Sequence, residues 1–263
     1  MFSEFPPVST GEWEALIQKD LKGADYEKKL VWQTEEGFKV KPYYRRENLE
    51  GLEYLDELPG EFPFVRGNKK RSNNWYIRQD IMVDDIKKAN EKALDILMKG
   101  VDSLGFILEN KEYTADDLDN LMKNIFAEIV EVNFSCPPGI ALRIMQFHQE
   151  LIKRYNRDFQ KIHGSIDFDP MGYLVLKGNF YQSFDKSLTT ARNLIDIAAH
   201  FPYFTVLQVN GANFRNAGST MVQELAFSLA SGAEYLTHLT DTGVSIDQAA
   251  PNIKFTFTDI IYH

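Results

Sequence analysis

From Trp75 onward the apolar positions fall into two alternating rhythms. Short runs at 76–81, 104–108, 129–134, 165–169, 205–210 and 254–258, rich in aromatic and β-branched residues, read as strands. Between them, apolar residues recur at helical spacing over about 84–99, 115–125, 138–155, 187–199 and 217–236. Ile86, Ala89, Ala93, Ile96 and Leu97 form one stripe with charged residues opposite. Thr114, followed by Asp116 and Asp117, has the composition of a cap with acids at the positive end of a helix. The first 70 residues follow another pattern. Ser9 and Glu12 are spaced as a capping box, Trp13, Leu16, Ile17 and Leu21 share a helical face, and Gly23 is placed to end it. Two short runs on either side of Gly37 resemble a hairpin.

Strands separated by helices must pair in parallel, and right-handed crossovers then give either a barrel or a doubly wound sheet. About six βα units are visible, whereas a closed (β/α)8 barrel has eight. The expectation is an α/β chain with an N-terminal arm (1–70) and an incomplete TIM-type barrel (71–263) with unpaired edges, the pattern of a truncated chain.

Composition narrows the function classes. A net charge of −9 gives no global field to attract nucleic acid. Cys136 is the only cysteine, which favours a reducing compartment. No apolar run approaches the ~20 residues that span a bilayer, and the N-terminus lacks the basic and apolar regions of a secretory signal. A cytoplasmic location is expected.

Candidate chemistry is sparse. The five histidines (148, 163, 200, 238 and 263) show no metal-ligand spacing, so no metal site is expected. Cys136 precedes two prolines after a strand but has no identifiable base. Asp167 and Asp169, read as alternate positions on one strand face, fit a Mg²⁺ or acid/base pair, or else two acids bonded to backbone N–H groups. Asn210 to Gly218 is a polar loop entering a helix, a composition suited to an anion. Arg66, Lys69, Lys70 and Arg71 form the densest basic cluster.

Several segments resemble the methylmalonyl-CoA mutase family, in order and at family spacing. They are Trp32 to Tyr44, Pro59-Gly60 to Arg66-Gly67, Trp75-Tyr76-Ile77-Arg78-Gln79, Gly211 to Tyr235, and Asp247 to Phe255 with its Ala250-Pro251. The resemblance implies a barrel that threads an acyl-CoA along its axis and works with a cobalamin-binding domain, using adenosylcobalamin to isomerise methylmalonyl-CoA to succinyl-CoA. The D-x-H-x-x-G motif of that domain does not occur in this sequence.

The family's site residues are replaced. A tyrosine after Arg78-Gln79 is Asp80, a substrate-contacting glutamine is Asp167, and the carboxylate-pairing arginine falls on Lys177. The S-G-Y-H motif reads Asn210-Gly211-Ala212-Asn213, without its histidine. Asp80 and Asp167 beside an acyl carboxylate would add repulsion, and a lost oxyanion donor costs ~2.7–4 kcal/mol. Phe106, Phe134 and Phe168 are further expected to fill the axis. The resemblance therefore implies the small, non-catalytic subunit of a heterodimer whose large subunit is the catalytic partner. The alternative is a divergent barrel that holds a CoA thioester through Arg66, Lys69, Lys70, Arg78 and Gln79, active once a cobalamin domain is supplied.

Overall fold

The computed structural model describes residues 6–257 and divides the chain into two compact units, Met1–Asn73 and Asn74–His263. In the first unit, Ser9 and Glu12 form the expected capping box at the start of α1 (Thr10–Asp20). The α2 turn (Tyr26–Leu30) leads into an antiparallel pair, β1 (Trp32–Gln33) and β2 (Lys39–Val40), with Gly37 at φ +89° in the connecting turn. Neither helix buries a residue, and Trp13, Leu16, Trp32 and Phe38 all stay exposed. Local capping and turn chemistry, rather than a core of its own, gives this unit its regularity.

The second unit is a partial (β/α) barrel. Its five-stranded parallel sheet runs β3 (Arg78–Met82), β4 (Ser103–Ile107), β5 (Glu131–Ser135), β6 (His163–Ile166) and β7 (Tyr203–Thr205), in sequence order. Crossovers carry α3 (Ile86–Leu97), α4 (Ala115–Leu121), α5 (Pro138–Arg154), and a pair, α6 (Pro170–Lys177) and α7 (Phe184–Ala198). The run predicted as one strand at 205–210 is broken at Val206. β7 pairs with β6, whereas β8 (Leu207–Asn210) pairs in parallel with β9 (Ile253–Thr256). The helices α8 (Ala212–Asn216), α9 (Met221–Asp241) and α10 (Ile246–Ala249) fill the connection. Among the described residues, β3 pairs only with β4 and β9 only with β8, so both outer edges are unpaired. Thr258, the end of the predicted sixth strand, lies outside the described residues.

Strand periodicity sorts the side chains onto two faces. Leu104, Phe106, Val132 and Phe134 are fully buried on the helix-covered face, beneath Ala89, Ala93 and Ile96 of α3 and Ile144 and Met145 of α5. Burying each large apolar side chain contributes about 1.5–3 kcal/mol. Phe134 stands 5.3 Å from the His148 ring of α5 and 6.1 Å from Phe106. The expectation that Phe106 and Phe134 fill the axis is therefore corrected: their parity turns them toward the helices. Phe168, buried beyond the end of β6, lines a cavity with Pro138 and Leu142 of α5 and likewise belongs to the helix layer.

Gly164 is required where β6 meets its neighbours. A Cβ there would lie 1.8 Å from the Val132 carbonyl oxygen, and φ is +155°. A side chain would force β5 and β6 apart.

Candidate functional site

The face turned away from the helices is polar. At its lower level Arg78, Ser103 and Glu131 are in register, and at the next Asp80, Gly105, Asn133 and Ser165 follow. The Ser103 hydroxyl donates to the Glu131 carboxylate, and the Asn133 amide donates toward Ser103 Oγ at 3.1 Å and Glu131 Oε2 at 3.2 Å. Ser165 Oγ donates to Asn133 Oδ1 at 2.7 Å. Ser103, Asn133 and Ser165 are all buried, so this string must be internally satisfied.

A chain of charges continues from it. Lys254 of β9 donates to Asp167 Oδ1 at 2.6 Å and to Ser165 Oγ at 2.7 Å. Arg78 Nη2 lies 3.9 Å from Asp167 Oδ2, and Arg78 Nε donates to Asp80 Oδ1 at 2.7 Å. The order Asp80, Arg78, Asp167, Lys254 alternates in sign and sums to zero. Asp167 is the most enclosed of the four, its side chain 7% exposed against 24% for Lys254, 31% for Arg78 and 50% for Asp80. Gly105 makes room for the first pair, since a Cβ there would sit 1.9 Å from Asp80 Oδ1 and 2.7 Å from Arg78 Nε.

Asp167 and Asp169 do not share a strand face, a correction to the sequence reading. β6 ends at Ile166, and the chain turns before Asp169, which caps α6. Asp169 accepts from Gly172 N–H at 2.8 Å, Tyr235 Oη at 2.7 Å and Asn210 N–H at 3.1 Å. Burial raises its carboxyl above the ordinary carboxylate range, and these three donors oppose the rise. Tyr235 is in turn pushed well above its usual value, by burial first and by the Asp169 charge second. This node ties the start of α6 to β8 and α9, which is a structural role.

The remaining candidates are dispersed. Gln79 is adjacent to Arg78 and so faces the other way, in register with buried Leu104. Lys177 ends α6 with an exposed side chain, where a cation complements the helix dipole. Ala212 and Asn213 open α8, replacing the predicted loop; the Ala212 N–H donates to Asn210 Oδ1 at 3.1 Å. Arg66, Lys69 and Lys70 belong to the first unit, where Arg66 donates to the Leu55 carbonyl at 2.8 Å and Lys70 lies 3.5 Å from Glu61. Cys136 is half-buried and its thiol is pushed up to about 12, by burial and then by Asp167, so it is protonated at neutral pH.

Asn133, Ser165 and Lys254 are the site residues the sequence reading missed, and Lys254 is the most remote of them. It stands 87 positions from Asp167 in a segment notable only for its Ala-Pro entry. Nothing local announces a lysine that bridges strands.

Comparison with known proteins gives the family of the chain. The sequence profile of the methylmalonyl-CoA mutase family matches residues 33–112 and 113–261. The chain is 44% identical to the methylmalonyl-CoA mutase small subunit of Porphyromonas gingivalis, over 98% of its own length and 41% of that protein. It is 27% identical to the small subunit of Streptomyces virginiae (97% of the chain, 42% of that protein). Against the human mitochondrial methylmalonyl-CoA mutase it is 26% identical (93% of the chain, 36% of that protein). The chain thus spans about two fifths of the length of these relatives. With the profile running from Gln33 through every strand of the barrel, the chain belongs to the methylmalonyl-CoA mutase family.

Proposed function

We propose that this chain serves as the small, non-catalytic subunit of a heterodimeric methylmalonyl-CoA mutase in the cytoplasm, with the isomerisation carried out by a large partner subunit. The observation that carries the reading is the self-neutralised inner face. Among the described residues, the two cations of that face, Arg78 and Lys254, are both engaged by Asp80 and Asp167 of the same chain, which competes with an acyl carboxylate for them. Asp80, Asp167, Ala212 and Asn213 also supply neither a phenol to steer a radical nor an imidazole to donate to a thioester carbonyl.

Adenosylcobalamin supplies homolytic cobalt–carbon cleavage to the family's reaction, and the described residues do not fit it. His148 is fully enclosed by Phe134, Phe201 and Phe204. His163 is stacked on Tyr203 at 4.6 Å, His238 is held by Glu234 at 2.7 Å, and His200 lies against Phe159. In this reading the corrinoid is bound by the partner.

Co-expression with the large mutase subunit tests the proposal. The two chains are expected to purify together, and this chain alone, given coenzyme B12 and methylmalonyl-CoA, is expected to show no turnover. A stable monomer without affinity for the large subunit would sink it. The partly exposed Arg78 favours one other reading, a barrel that binds a CoA thioester. Calorimetry decides that point, and absence of heat at millimolar ligand removes it.

A further inference from the structure

The inner face contains what looks chemically like a ligand in its receptor. Lys254 comes from β9 and Arg78 from the first strand of the sheet, yet both turn toward one carboxylate, that of Asp167 just beyond β6. The ammonium lies 2.6 Å from one oxygen, the guanidinium 3.9 Å from the other, and Ser165 Oγ bridges back to the buried Asn133. A carboxylate held between two cations and a hydroxyl is the arrangement by which proteins bind free carboxylic acids. Asp80 is not equivalent: among the described residues its one ion pair is with Arg78, and it is half exposed.

We propose that the inner face is a carboxylate-binding site whose occupant is the chain's own Asp167. External acids are then excluded by competition with a tethered ligand rather than by shape. The inference rests on the reading that this face does not turn substrate over, and it adds a residue-level cause. The aspartate side chain beyond Cα is an acetate group, so free acetate is the probe.

The experiment uses the full chain carrying Asp167→Ala, melted and titrated calorimetrically with acetate against chloride at matched ionic strength. Acetate is expected to raise the variant's melting temperature saturably and to leave the unsubstituted chain unchanged. Adding Lys254→Met is expected to weaken acetate binding about 10- to 100-fold, the equivalent of one charge-assisted hydrogen bond. A folded Asp167→Ala chain indifferent to acetate would overturn the proposal. So would equal acetate binding by the unsubstituted chain, or an affinity unmoved by Lys254→Met. Where the alanine variant does not fold, Asp167→Ser replaces it, leaving a hydroxyl for Lys254. If neither folds alone, refolding must depend on acetate and not on chloride, and failure in both overturns the idea. Turnover by the unsubstituted chain would defeat the proposed function while leaving acetate rescue intact, so the two failures are separable.

Discussion

The two faces of the same five strands solve the burial problem in opposite ways. On the helix-covered face Leu104, Phe106, Val132 and Phe134 exclude water by shape and area, with contributions that add contact by contact. On the inner face Ser103, Asn133, Ser165 and Asp167 are enclosed as well, but each depends on a specific partner. A buried ion pair scarcely outweighs its own desolvation, yet losing one member leaves an uncompensated charge. The lesson is that one face stabilises the barrel by additive contacts, while the other stands or falls by specific pairings.

That contrast can be broken by experiment, starting with the largest effect. Phe134→Ala is expected to cost about 3–5 kcal/mol, measured by urea unfolding, because it opens a cavity between β5 and α5. Second comes His148, buried against three phenylalanines, with neither ring nitrogen hydrogen-bonded among the described residues. Burial, with a smaller effect from Arg157, lowers its pKa from 6.5 to about 4. The unfolded chain therefore binds the proton more readily, so stability is full above pH 6.5 and is lost as pH falls from 6.5 toward 4. A loss of ~3 kcal/mol across that window is expected. His148→Leu should flatten the slope, and an unchanged slope would place its origin elsewhere.

Third, Lys254→Met is expected to cost about 1–3 kcal/mol by leaving Asp167 short of its nearest cation. Pairing it with Asp167→Asn should recover most of the loss in a double-mutant cycle. If the double variant is no better than the single, the inner face is not the coupled network described. The smallest effect belongs to the surface: Lys99→Ala, which removes an exposed pair with Asp95, is expected to change stability by no more than ~0.5 kcal/mol.

The same contrast explains what was legible in the sequence. Helix-covered positions repeat at fixed spacing, so the strands and the stripe of Ala89, Ala93 and Ile96 could be read directly. The capping box at Ser9 and the cap at Thr114 were equally plain, being local. Helix α6 was missed because Met171 to Leu176 is apolar on every side and carries no period. The Asp169-Pro170 step, a cap followed by proline in the first turn, was the available signal. At the site, Asp167 was a candidate from its spacing with Asp169, and Arg78 and Asp80 came through family resemblance. Asn133, Ser165 and Lys254 were not found, because a partner dozens of residues away leaves no trace in either residue's neighbourhood.

The interruption at Val206 has a mechanical consequence. Its N–H donates to the Asn252 carbonyl, and the next donor but one, Gln208 N–H, goes to Phe168 rather than to a strand. The backbone ladder is thereby cut into a five-strand and a two-strand stretch that can open separately. Amide exchange at Leu207–Asn210 and Ile253–Thr256 should then report a softer, independent motion, while Ser103–Ile107 tracks unfolding of the barrel wall itself.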